Sequence, residues 1–161
     1  MKKPQQGFFL IEAMIAILIF CLGVLGVIGM GATAVGAQSD ARYRTDAVNL
    51  ANDIASYIQL NADRSTLLLL QASLNSYQHQ PAGPACAFAG GASLDPGLVA
   101  LLNKVVTVGP GLPGLPGSTP AAQQILVDTT AAGFNRVQIT ICWQAPTDAW
   151  PRNQTLVTYV N

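Results

Sequence analysis

Gly7-Phe8-Phe9-Leu10-Ile11-Glu12-Ala13-Met14-Ile15-Ala16-Ile17-Leu18-Ile19-Phe20 carries one ionisable side chain, Glu12, in an otherwise apolar run. No charged residue follows from Ala13 to Ser39, 27 positions in a row. As a helix, that stretch would run about 40 Å, more than the roughly 30 Å hydrocarbon core of a bilayer. A carboxylate near one end of such a span is expensive; a comparable charge at mid-membrane costs about 2.5–3.5 kcal/mol on insertion scales. Ionisable groups held in a membrane at that cost are usually functional and paired. Glu12 therefore calls for a cation, and its own span supplies none.

Upstream, Met1-Lys2-Lys3-Pro4-Gln5-Gln6-Gly7 is a short basic leader ending at a glycine, followed by Phe8-Phe9-Leu10-Ile11-Glu12. This arrangement resembles the signal of type IV pilin-like proteins. The resemblance implies that a prepilin peptidase cuts between Gly7 and Phe8 and N-methylates Phe8. It also implies that Glu12 docks against the N-terminal ammonium of a neighbouring subunit in a filament. The physics agrees, since opposite charges about 4 Å apart attract by roughly 4 kcal/mol at an effective dielectric of 20.

Other readings of this N-terminus fit less well. A secretory signal has an apolar region of about 7–15 residues before a small-residue site. Val35-Gly36-Ala37 offers such a site, but the run before it is longer and is interrupted by Glu12. A lipoprotein signal needs a small residue before Cys21, where Phe20 stands. A plain single-span anchor, with lysines on the inner side, is the remaining alternative.

A chain of 161 residues has room for one anchor and one small head. Positive mean hydropathy and 50% apolar content are inflated by the anchor. The precursor has zero formal charge; loss of Lys2 and Lys3 leaves six basic against eight acidic residues. Arg42, Arg44, Arg64, Lys104, Arg136 and Arg152 are scattered, so no nucleic-acid surface is expected. Cys86 and Cys142 lie in the head, and an oxidising periplasm would join them. The rival, a metal site of these cysteines with His79, lacks ligand spacing. Cys21 reads as a small apolar packing residue.

Past Asp40 a 3.6-residue rhythm continues. Ala47, Ala51, Ile54 and Ile58, widened by Leu50 and Ala55, form an apolar stripe opposite Arg42, Asp46, Asn49, Asp53 and Ser56. One helix over residues 8–62 is expected, with 8–39 in the membrane or a filament core and 40–62 amphipathic. Gly23, Gly26, Gly29, Gly31 and Gly36 puncture it, offering close helix packing or a weak point where the helix loosens on leaving the bilayer.

The head, residues 63–161, begins with a short helix over 64–74. A loop over 81–97 follows, then a helical turn or two over 95–102, and an extended flap over Gly109–Gly117. Strands are predicted at 124–130, 136–143 and 154–160, with Val137, Ile139 and Ile141 on one face and Gln138, Thr140 and Cys142 on the other. The fold class is α+β: a long N-terminal helix packed on a small antiparallel sheet, as in type IV pilin-like proteins. Trp143 and Trp150 read as core residues under the sheet, and His79 as a surface residue.

No catalytic constellation, phosphate loop or metal motif is present in the sequence, and neither enzymatic activity nor a cofactor is expected. Phe20-Cys21-Leu22-Gly23-Val24-Leu25-Gly26, then Ala47-x-x-Leu50-Ala51-Asn52-Asp53-Ile54 and Asn61, resemble the minor pilin family called type IV pilus modification protein, PilV. The resemblance covers about residues 7–62. It implies a low-abundance subunit that primes pilus assembly with other minor pilins and the major pilin, supporting adhesion and twitching motility. Such a subunit waits in the inner membrane with its head in the periplasm, then enters the filament. An I-type minor pseudopilin of a type II secretion system and a DNA-uptake pseudopilin are alternatives within this class. A single-span anchored periplasmic binding module is the alternative outside it.

Overall fold

Helix propensity and the absence of proline between Gln5 and Gln80 allow one long first element. The computed structural model describes residues 6–106, 108–109 and 112–161. Helix α1 covers Gln6–Asn61, 56 residues, and passes Gly23, Gly26, Gly29, Gly31 and Gly36 unbroken. Of the leader read from the sequence, residues 1–5 lie outside the described residues. The chain divides into two units, Met1–Ala41 and Arg42–Asn161, and α1 contributes to both.

In the first unit the large apolar side chains described, from Phe9 to Val35, are all exposed. In the second, the α1 stripe is buried at every position the sequence marks: Ala47, Leu50, Ala51, Ile54, Ala55 and Ile58. Arg42 and Asp46 on the polar side approach to 3.7 Å, a surface pair of little energetic weight.

Local chemistry explains where α1 stops and the next helix starts. Asn61 turns its amide back to the Tyr57 carbonyl at 2.9 Å. Asp63 then accepts from the N–H and hydroxyl of Ser65, a short polar turn that competes with helix. Thr66 caps α2, Leu67–Ser76, by accepting from the Leu69 N–H at 3.2 Å. Leu70 and Leu74, one turn apart, are its buried side chains.

Helix α3 covers Pro96–Val106. Asp95 takes the Leu98 N–H at 2.8 Å, and Pro96 occupies the first helical position, where no N–H is needed. The helix is longer than the turn or two expected over 95–102, because Val105 continues the buried row begun by Leu98 and Leu102.

The Gly/Pro-rich stretch is more than a flap. Strands β1 (Val108–Gly109) and β2 (Leu112–Pro113) pair as a small antiparallel ribbon. Leu115 then enters the core fully buried, its N–H bonded to the Val105 carbonyl at 2.8 Å.

A single 3-10 turn, Pro120–Ala122, leads into a meander of β3 (Gln123–Asp128), β4 (Arg136–Trp143) and β5 (Arg152–Tyr159), in the order β3-β4-β5. The register places Ile125 opposite Ile139, and Ile139 opposite Leu156. Ile125, Val137, Ile139 and Ile141 face one core shared with Ile54, Ile58, Leu74 and Leu98. Full burial of each such side chain contributes about 1.5–3 kcal/mol.

The opposite face of β4 is covered at its end. There Cys142, Phe88 and Ala122 form a second small cluster, with Cys86 packed against it. Trp143 is 3% exposed within the main core, as expected, whereas Trp150 is 81% exposed in the β4–β5 connection. The correction for Trp150 follows from its place after the sheet pairing has ended, beside Pro151.

Candidate functional site: the apolar N-terminal helix

The helix over Phe9–Asn61 is long and apolar enough to cross a membrane once. Glu12 lies in its second turn and is exposed, flanked one turn away by Phe9, Ile15 and Ala16. Among the described residues of α1, Arg42 is the nearest basic side chain along the sequence, thirty positions on. Gly7 and Phe8 have helical backbone, so a peptidase acting between them must first fray that terminal turn.

The glycines give this surface its relief. A Cβ built on Gly23, Gly26, Gly29, Gly31 or Gly36 would meet nothing of this chain within 4 Å. Phe20, Gly23, Val24, Val27 and Ile28 line one shallow apolar groove on the helix; Met14, Ile17, Leu18, Cys21 and Leu22 line another. The Cys21 thiol is free and exposed.

In the second unit, Cys86 and Cys142 are joined, with 5.5 Å between Cα atoms. Cys86 sits at a φ of 64°, in the left-handed region. The bond ties residues 80–93 to β4 on the face away from the main core. A closed loop of this length contributes roughly 4 kcal/mol in the chain-entropy account.

His79 is not a surface residue. It is 6% exposed, its backbone bridges to Ile125 of β3, and its Nδ1 accepts the Ser93 N–H at 3.2 Å. Although Gln78 and Gln80 flank it, edge pairing with β3 turns the imidazole inward with Ile125. Burial pushes its pKa down, weakly opposed by the Pro120 carbonyl, although Nε2 makes no bond of hydrogen-bonding geometry.

Sequence reasoning also missed the bond between Tyr57 and Asp95, residues 38 positions apart with no local signal of contact. Among the described residues, no three of His, Cys, Asp and Glu come together as a metal site. Comparison with protein families, curated proteins and solved structures finds no match to this chain.

Proposed function

We propose that this chain is a minor subunit of a type IV pilus-like filament, similar to the PilV family. In this reading a prepilin peptidase cuts after Gly7 and methylates Phe8. The mature chain then waits in the inner membrane until it joins other minor pilins and the major pilin. The supporting observation is Glu12: one exposed carboxylate on an otherwise uncharged apolar helical surface that extends to Ser39. A charge so placed needs a cation from another chain, and the new N-terminal ammonium of a neighbouring Phe8 has the right sign. Open glycine positions favour the same reading, because they let a second helix approach closely. No role in catalysis and no cofactor is proposed.

Glu12→Gln tests it, because the amide keeps the shape and removes the charge. Insertion should be as good or slightly better, since a desolvated carboxylate is removed. Recovery of the subunit in sheared filaments should fall at least tenfold, with fewer filaments if the protein primes assembly. Normal recovery and normal filament number would show that Glu12 is not the docking charge.

A further inference from the structure

Three segments meet at His79. Its N–H donates to the Ile125 carbonyl at 3.0 Å, and its carbonyl accepts from the Ile125 N–H at 2.9 Å, on the edge of β3 away from β4. Through Nδ1 the ring holds the Ser93 N–H, and Ser93 Oγ donates to the Ser76 carbonyl at 2.9 Å. The imidazole thus ties Ser93 to the edge of β3, while the Ser93 hydroxyl ties it to the end of α2. Between these points residues 80–93 fold on themselves: Gln80 N–H bonds the Gly91 carbonyl at 2.8 Å, and Ala82 and Ala89 exchange two backbone bonds. Since Nδ1 accepts, the neutral ring carries its proton on Nε2, which is buried.

We propose that His79 is an acid-sensitive latch: the neutral imidazole holds the Ser93 backbone against the edge of β3, and protonation at Nδ1 releases that contact. The chemistry is direct. A proton on Nδ1 points at the Ser93 N–H, two donors cannot bond each other, and the contact must break. Among the described residues no carboxylate bonds the ring, so the cation formed would be buried without a bonded anion. On this face β3 presents Gln123, Ile125 and Val127, none of them ionisable, and the 3-10 turn offers only the Pro120 carbonyl. Tyr77, which closes α2, meets the Tyr57 ring of α1 edge-on at 6.2 Å, and the Tyr57 hydroxyl is committed to Asp95. Asp95, the nearest carboxylate along the chain from Ser93, spends Oδ1 on Tyr57 and on the Leu98 N–H.

The sign follows from burial. The ring titrates below the ordinary imidazole value when folded. The latch is therefore fully closed above the unfolded value of about 6.5 and is lost as pH falls through the depressed one. A shallow cleft lined by Asn75, Ser76, Gln78, Pro81, Ser93 and Leu94 lies between the segments the latch joins, so its shape follows the charge on His79.

This inference is independent of the filament reading, and its test needs no filament. The full chain in detergent micelles would be titrated by NMR, following the His79 ring and the Ser93 amide together. The ring should titrate below about 6.5, and exchange protection at Ser93 should fall at least tenfold with the same midpoint. His79→Asn, whose Oδ1 can replace Nδ1 as acceptor, should keep Ser93 protected through that range. A ring midpoint at the ordinary value, a Ser93 amide indifferent to the ring's charge, or an unchanged acid transition in the Asn variant would each overturn the latch. Should the variant not fold, the two wild-type curves decide alone.

Discussion

The Tyr57 hydroxyl donates to Asp95 Oδ1 at 2.8 Å, and that same oxygen accepts the Leu98 N–H at 2.8 Å. One carboxylate oxygen thus caps α3 and ties it to α1. The bond to Asp95, with burial second, raises the Tyr57 pKa above its ordinary value. Ionised, the phenol would set two anions side by side. The tie therefore contributes below pH about 10 and is lost as pH rises through the raised value.

Gly97 is where this arrangement is least tolerant. A Cβ there would overlap the Tyr57 hydroxyl, which cannot step aside without leaving Asp95. Gly97→Ala should destabilise the second unit by about 1–3 kcal/mol, the usual range for overpacking. Tyr57→Phe removes only the hydroxyl and should lower the thermal midpoint by less. Equal midpoints for Gly97→Ala and wild type would mean the ring moves freely.

The disulfide leads to a second expectation. Non-reducing peptide mapping of protein from an oxidising compartment should recover Cys86 linked to Cys142. Cys142→Ser should cost up to roughly 4 kcal/mol, with protease sensitivity rising first in residues 80–93, which the bond ties to β4. Free alkylation of both thiols in the native protein would contradict the linkage.

Periodicity makes the main elements legible in the sequence. The stripe from Ala47 to Ile58 and the alternation Val137-Ile139-Ile141 describe buried faces because burial is what produces such rhythms. Thr140 and Cys142 share the opposite face of that alternation, and only the fold shows what covers it near Cys142: Phe88 from the loop after α2 and Ala122 from the 3-10 turn before β3. His79 was misread for a related reason. An isolated bridge to Ile125 has no pattern of its own, since one residue paired at a strand edge leaves no period to detect. Glu12 was legible as a candidate because charge in an apolar run is conspicuous without any fold.

Acid should weaken the β3–β4 connection. Asp128 accepts from the Thr130 hydroxyl and N–H at 2.6 and 3.1 Å, and Arg136 lies 3.8 Å away. The bonds to Thr130, with a smaller contribution from Arg136, hold the Asp128 pKa below its ordinary value. The stabilisation is thus present above the unfolded carboxylate value of about 3.9 and lost as pH falls through the folded one. Asp128→Asn should flatten the dependence of the urea midpoint on pH in the acid range, lowering the midpoint at neutral pH and changing little at the acid end. An unaltered pH profile would show that this carboxylate does not contribute.

The last expectation concerns the N-terminus, where sequence and structure meet most closely. Gly7 precedes Phe8 and Glu12 in the pilin-like spacing, and both Gly7 and Phe8 lie in the first turns of α1. Cleavage requires that turn to open. Mass spectrometry of protein extracted from membranes should find a chain beginning at methylated Phe8. Gly7→Val should leave the uncut precursor, because a branched side chain occupies the space glycine leaves for the enzyme. Glu12→Gln, by contrast, should still be cut, since it leaves the scissile bond unchanged, which separates a processing defect from a docking defect. A mature chain beginning at Gln38 would mean cleavage by an ordinary signal peptidase after Ala37. The uncharged run as far as Ala37 would then be a discarded signal, and Glu12 would have no filament in which to find its cation.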